Sequence, residues 1–262
     1  QKAIMDNAIE RVESILLSRY AIANAAKSTY IMQHWGDNFS SFNTHATAWW
    51  QPYGEFGTTT RKDNDAYFKA IASTTEGKQA NFEYVFENNV AGTDNATSMY
   101  LEYTINLKDV AGTHKDFTDG TFYRFANKIY TSIEDILKAY ENQSNPFGTD
   151  TKDGLLAELK IVDGKTTATE AELAKFRTDH AIEIFVGGKA YYKTTIDDKF
   201  LSYTGRHLIQ RNSVYQLNIK NVYNVGADVP NGDPTTVDPM YYLNVEVTVN
   251  PWVLNTIDVD LK

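Results

Sequence analysis

From Met99 to Leu107 the chain changes polarity almost residue by residue. Met99, Leu101, Tyr103, Ile105 and Leu107 take one parity, and Glu102, Thr104 and Asn106 take the other. Near the end the same period returns, with Tyr241, Leu243, Val245, Val247 and Val249 set against Asn244, Glu246 and Thr248. Only a β-strand puts such a set on one face; a helix would scatter it round its circumference. Shorter runs predict further strands at 82–86, 121–125, 155–162, 181–186, 189–196 and 213–222. Many short strands with turn signals between them imply a mainly β fold with short helices. The expected architecture is a β-sandwich of transthyretin-like or Greek-key type with an N-terminal helical and irregular segment.

Elsewhere the periodicity is helical. Ile4, Ala8, Val12, Ile15, Leu16 and Ala23, with Arg11, Glu13 and Arg19 interspersed, predict a helix over 3–26. Residues 28–78 are irregular, rich in Thr, Ser, Asn and Gly, and Asp65 to Ser73 fits one short helix. The expected division is therefore a helix-containing segment over 1–78, packed on or linking to a sandwich over 79–262. Ser132 can cap a helix over Ile133–Tyr140, and Thr169 with Glu172 forms a capping box before Ala171–Phe176. Gly187-Gly188 is expected as a hairpin turn between two strands. Residues 226–239 hold three of the six prolines and predict an exposed loop between the last two long strands.

The formal net charge is -9, which removes the electrostatic motive for binding nucleic acid or an anionic membrane. There is no Cys, so thiolate catalysis, Cys-ligated zinc and disulfides are excluded together. Seventeen Tyr against four Met favour half-wet pleated surfaces. No apolar run approaches the roughly 20 residues of a membrane helix. No secretory signal is visible, and the start at Gln1 reads as a cut. The five His form no zinc-protease helix motif, and no Gly-x-Ser-x-Gly elbow exists. Gly164-Lys165-Thr166 has the end of a phosphate loop, but Leu159 stands where that loop needs Gly, so Asp163-Gly164-Lys165 is read as a turn. Asp63, Asn64 and Asp65, and likewise Asp150 to Gly154, lack the rest of a calcium loop. No catalytic residue, metal or cofactor is expected, and the chain is not read as an enzyme. Trp49, Trp50 and Tyr53, near Trp35, are the best candidates for a ligand surface. Such rings either fill the core or form an aromatic platform for sugars; the core reading is preferred, and a surface glycan-binding sandwich is the alternative function.

Three ordered segments carry a family likeness: Lys189 to Ile196 behind Gly187-Gly188, Gln210 to Ile219, and Val245 to Val249 followed by Asn250-Pro251-Trp252. Together they resemble the Bacteroidales fimbrillins, the type V pilins. Phe122-Tyr123-Arg124 and Lys128 to Ser132 look most like the C-terminal domain of the major subunit of short (minor) fimbriae. The resemblance covers about 79–262. It implies a lipoprotein precursor trimmed by an arginine-specific protease. A groove in the N-terminal domain, largely outside these residues, would then accept the next subunit's C-terminal segment. It also implies an extracellular, outer-membrane-associated fimbria that serves adhesion, biofilm formation and virulence. Its partners would be other copies in a head-to-tail filament, accessory tip or anchor proteins, and host or bacterial surface receptors.

The tail supports this from its own residues. Pro251 ends the strand before it, because it cannot donate to a ladder. Beyond Trp252, the residues Val253, Asn255, Ile257, Val259 and Leu261 share a parity, and four of those five are aliphatic. Ten extended residues reach roughly 33 Å, and four buried aliphatic side chains contribute roughly 6–12 kcal/mol before ordering costs. Trp252, Val253, Ile257, Val259 and Leu261 are therefore the candidate donor-strand residues. From the residues alone, donation to a neighbour and pairing in the chain's own sheet stand level; the resemblance favours donation.

Overall fold

The computed structural model describes residues 11–23, 25–26, 49–50, 68–71, 83–85, 96–196, 209, 213–222, 224–230 and 243–251. Its first strands are β1 (Val12–Ala23), β2 (Ala25–Ala26), β3 (Trp49–Trp50), β4 (Lys69–Ala70) and β5 (Ser98–Leu107). Then come β6 (Phe122–Phe125), β7 (Lys128–Tyr130), β8 (Ile161–Val162), β9 (Lys165–Thr166) and β10 (Glu183–Phe185). The series ends with β11 (Lys189–Thr195), β12 (Ser213–Val222) and β13 (Leu243–Pro251). Helices α1 (Ile133–Ala139), α2 (Lys152–Glu158) and α3 (Glu170–His180) fall between β7 and β10.

The strongest alternation lies at the centre. β5 sits inside an antiparallel sheet of order β11-β5-β1-β4. Leu101, Tyr103 and Ile105, with Ala190 and Tyr192 of β11, face a second sheet of order β10-β6-β7. That sheet answers with Phe122, Ile129 and Phe185. Phe122 and Phe185 stack with centroids 4.6 Å apart and planes 7° from parallel. Successive strand residues point to opposite faces, so Tyr123, Tyr130 and Ile184 look away from the first sheet. They meet Ile133 and Ile136 of α1, Leu155 of α2, and Leu173 and Phe176 of α3 in a second core. The molecule is mainly β, a sandwich with helices covering its outer side. No described helix is long and apolar enough to cross a membrane.

The helix expected over 3–26 is corrected where it is described: residues 12–23 are β1, hydrogen-bonded to β5 along its length. Two irregularities explain the misleading period. The register with β5 shifts between Val12 and Ser14 and again between Leu17 and Arg19. Each bulge inserts one residue, so the side chains packed on the first core are Val12, Leu17 and Tyr20. Val12 and Tyr20 are eight apart, as two positions on one helical face would be. The short helix expected at 65–73 is likewise replaced, over its described part, by β4.

Residues 155–162 are not one strand. Thr151 accepts the Gly154 amide and caps α2, whose Leu155 is fully buried together with Leu159 just past its end. Their spacing of four fits that helix as well as it fits a strand. Only Ile161–Val162 is extended, in a hairpin with β9 across Asp163 and Gly164, both at positive φ (50° and 71°). The turn expected there is present. So are both helix starts: Ser132 accepts from the Asp135 amide at 3.0 Å, and Thr169 and Glu172 close a capping box. Glu83–Val85, inside the expected strand at 82–86, lies in no strand.

Gly187-Gly188 is not a hairpin turn. β10 pairs with β6, whereas β11 pairs with β5, so the glycines carry the chain from one sheet to the other. Both have positive φ, and a Cβ on Gly188 would stand 2.5 Å from the Ile105 carbonyl oxygen. This close backbone approach requires glycine.

Candidate assembly surface

The candidate donor-strand residues Trp252, Val253, Ile257, Val259 and Leu261 lie outside the described residues, as do Tyr53, Trp35, His34, His45, His207 and Asp63 to Asp65. The structure follows the chain to the point where the tail begins. β13 pairs antiparallel with β12 from Leu243 opposite Val222 to Pro251 opposite Ser213. Pro251 therefore closes the ladder, as a residue without an amide hydrogen should. β12 is anchored inward by Ile219 and Val222 on the first core, and by Tyr215 and Leu217 on Ile196 and Ile209. The tail thus leaves a strand that is tied to the domain.

Trp49 and Trp50 form β3, paired with Ala26 and Ala25 of β2. His114 lies at the rim of α1, its Nδ1 3.1 Å from Asp135 Oδ1. His180 packs its ring on Phe176 and places Nε2 3.2 Å from Glu158.

The first sheet has two unlike edges. β4 pairs with β1 only at Arg19 and Tyr20, with one further bond from the Ile71 amide to the Ser18 carbonyl. Among the described residues no strand lies beside Val12–Leu17 on that side, and Ile15 and Leu16 are exposed. At the other edge, Tyr191 of β11 exchanges both backbone hydrogen bonds with Ala227, at 2.8 and 2.9 Å. The expected exposed loop over 226–239 is corrected for this part: Val225, Gly226, Asp228 and Pro230 are buried.

Three buried charged groups brace this region, and none was singled out from the sequence. Glu102 is 1% exposed in the middle of β5, on the face away from the first core. It takes a two-pronged bond from Arg19 and accepts from Tyr191 Oη at 3.1 Å. Arg124 grips both oxygens of Glu183 and donates to the Val225 carbonyl at 2.5 Å. Asp228 accepts from Arg177 and, at 3.0 Å, from the Ile184 amide. A charge inside an apolar run, as in Phe122-Tyr123-Arg124-Phe125, is the one signal that could have flagged such a group, since a buried charge needs a partner.

No curated protein matches the chain significantly. Residues 183–258 match the family model described as the major fimbrial subunit protein type IV, Fimbrillin, C-terminal. The matched stretch runs from β10 through β13 and past Pro251. Members of such a family are structural subunits of cell-surface filaments, and the match supports a fimbrillin-family protein.

Proposed function

We propose that this chain is a type V pilus subunit that polymerises by donor-strand exchange, with residues 253–262 as the donated strand and Trp252 at its start. One observation carries the reading: the fimbrillin match continues beyond the end of β13, into the segment whose odd-numbered residues are mostly aliphatic. Added to another subunit, that segment gains main-chain bonds and side-chain burial together. A head-to-tail contact that does not close builds a filament. On this reading the filament is a Bacteroidales short fimbria, associated with the outer membrane, and serves adhesion, biofilm formation and virulence. Accessory tip or anchor proteins and surface receptors are its further partners.

The test uses the two faces of the tail in the full-length, protease-trimmed protein. Val259→Asp puts an unpaired charge into an apolar slot, at a cost of several kcal/mol. Asp260→Asn changes a solvated group and costs little. Electron microscopy should show filaments for Asp260→Asn and none for Val259→Asp, while circular dichroism shows Val259→Asp still folded. An unfolded Val259→Asp chain would place the tail in its own sheet. Equal assembly by both variants would remove donation altogether.

A further inference from the structure

The turn-rich connection after β12 does more than join two strands. At Asn224–Asp228 it returns to the first sheet and lies along the outer edge of β11. In an antiparallel sheet, alternate residues turn their backbone groups to opposite neighbours. Tyr191 gives its amide and carbonyl to Ala227, so the outward positions on β11 are those of its parity, with Lys189 and Lys193 on either side. A strand approaching this edge must first displace Ala227.

The displacement is opposed from four places. Tyr192 Oη donates to the Asn224 carbonyl at 2.6 Å. Arg124, itself 5% exposed, donates to the Val225 carbonyl, and the Val225 side chain enters the first core. Gly226 lies so close to β11 that a Cβ there would overlap the Tyr191 carbonyl. Asp228 is 4% exposed and binds Arg177 and the Ile184 amide. Arg177 also has a terminal nitrogen buried without a hydrogen-bond partner, so Asp228 supplies the compensation its charge requires. Bare sheet edges are templates for pairing with another chain, and proteins block them with covering loops and edge lysines. Lys189 and Lys193 supply the lysines.

We propose that Asn224–Asp228 is a built-in cap that keeps the β11 edge closed to strand addition by a second copy of the chain. With the cap in place, pairing between copies through this edge is suppressed; with the cap released, β11 becomes an acceptor. The proposal concerns β11 alone and does not depend on the donated tail.

Two substitutions release the cap by different routes. Asp228→Asn keeps an acceptor for the Ile184 amide but removes the charge facing Arg177. Gly226→Ala forces the segment off Tyr191 by steric overlap. Asp179→Asn, which removes a carboxylate from an exposed pair with Lys175, is the control. Hydrogen exchange followed by mass spectrometry, together with light scattering across concentration, reads the outcome. The Tyr191 amide should exchange at least about tenfold faster in both release variants at low concentration. Both should then self-associate reversibly as concentration rises, and Tyr191 should become protected again in the associated form. The control should associate no more than the unmodified chain and keep its Tyr191 amide protected. Unchanged Tyr191 protection in Asp228→Asn would overturn the cap. A folded variant with an exposed Tyr191 amide that associates no more than the unmodified chain would overturn the closed edge. Association that leaves Tyr191 unprotected would show that the copies meet elsewhere, and would overturn it too.

Discussion

Glu102 and Tyr103 are neighbours on β5 and face opposite ways. Glu102 points to Arg19 and Tyr191, while Tyr103 enters the first core and meets Tyr192 edge-on at 5.2 Å. Burial pushes the Tyr103 phenol up to about 12 and also raises Tyr100. Tyr123 is raised by burial and then by the Asp116 carboxylate, which accepts its hydroxyl at 3.0 Å. The unfolded chain releases these protons near pH 10. The folded-state values lie above that, so the folded chain holds protons that the unfolded chain has lost. Stability is intact below about pH 10 and falls as pH rises toward 12. Each such tyrosine contributes up to about 1.4 kcal/mol per pH unit to the fall. In urea unfolding between pH 7 and 11.5, Tyr103→Phe should reduce the alkaline slope by about that amount and change little at pH 7. An unchanged slope would show that Tyr103 ionises equally in both states.

Between elements, the decisive joint is the crossing from β10 to β11. Phe185 belongs to the middle sheet and Ala190 to the first, and only three 3-10 residues and Lys189 separate them. The chain turns within that distance by using positive φ at both Gly187 and Gly188. Gly188→Ala adds a methyl that meets the Ile105 and Gly120 carbonyl oxygens and opposes a φ of +69°. The loss should exceed about 1 kcal/mol, since side-chain residues are strained at such angles even without a clash. Gly112→Ala is the comparison: its φ is +81°, but nothing lies within 4 Å of the added carbon. Chemical unfolding should therefore rank Gly188→Ala as clearly the more damaging. Equal losses would mean that backbone conformation, rather than the close sheet-to-sheet approach, is what glycine serves here.

Over the whole molecule, the middle sheet couples two cores. Phe122 and Phe185 go to the first sheet, whereas Tyr123 and Ile184 go to the helices, and all four are fully buried. Neither core can loosen without moving β6 and β10. Phe122→Ala and Phe176→Ala, one in each core, should each cost about 3–5 kcal/mol. In a domain of this size that lowers Tm by roughly 6–20 °C. Scanning calorimetry should show one transition shifted in both variants. Two separated transitions in Phe176→Ala would mean that the helical layer melts by itself.

The order of residues was enough for whatever depends on near neighbours. The alternation of Met99–Leu107 specified a strand, Ser132 and Thr169 marked helix starts, and Asp163-Gly164 marked a turn, because each signal acts within a few residues. The ordered segments at 189–196, 210–219 and 245–252 likewise pointed to the fimbrillin family, whose C-terminal model matches residues 183–258. The fate of 12–23 could not be read locally. Its two bulges imitate a helical period, and only pairing with β5, some eighty residues on, makes it a strand. Partners distant in sequence also decided that Gly187-Gly188 joins two sheets rather than two strands of one. Asp228 became a buried anchor because Arg177 and Ile184 arrive from other elements. Only the folded chain brings such charges and backbone edges together, and their desolvation then permits few arrangements.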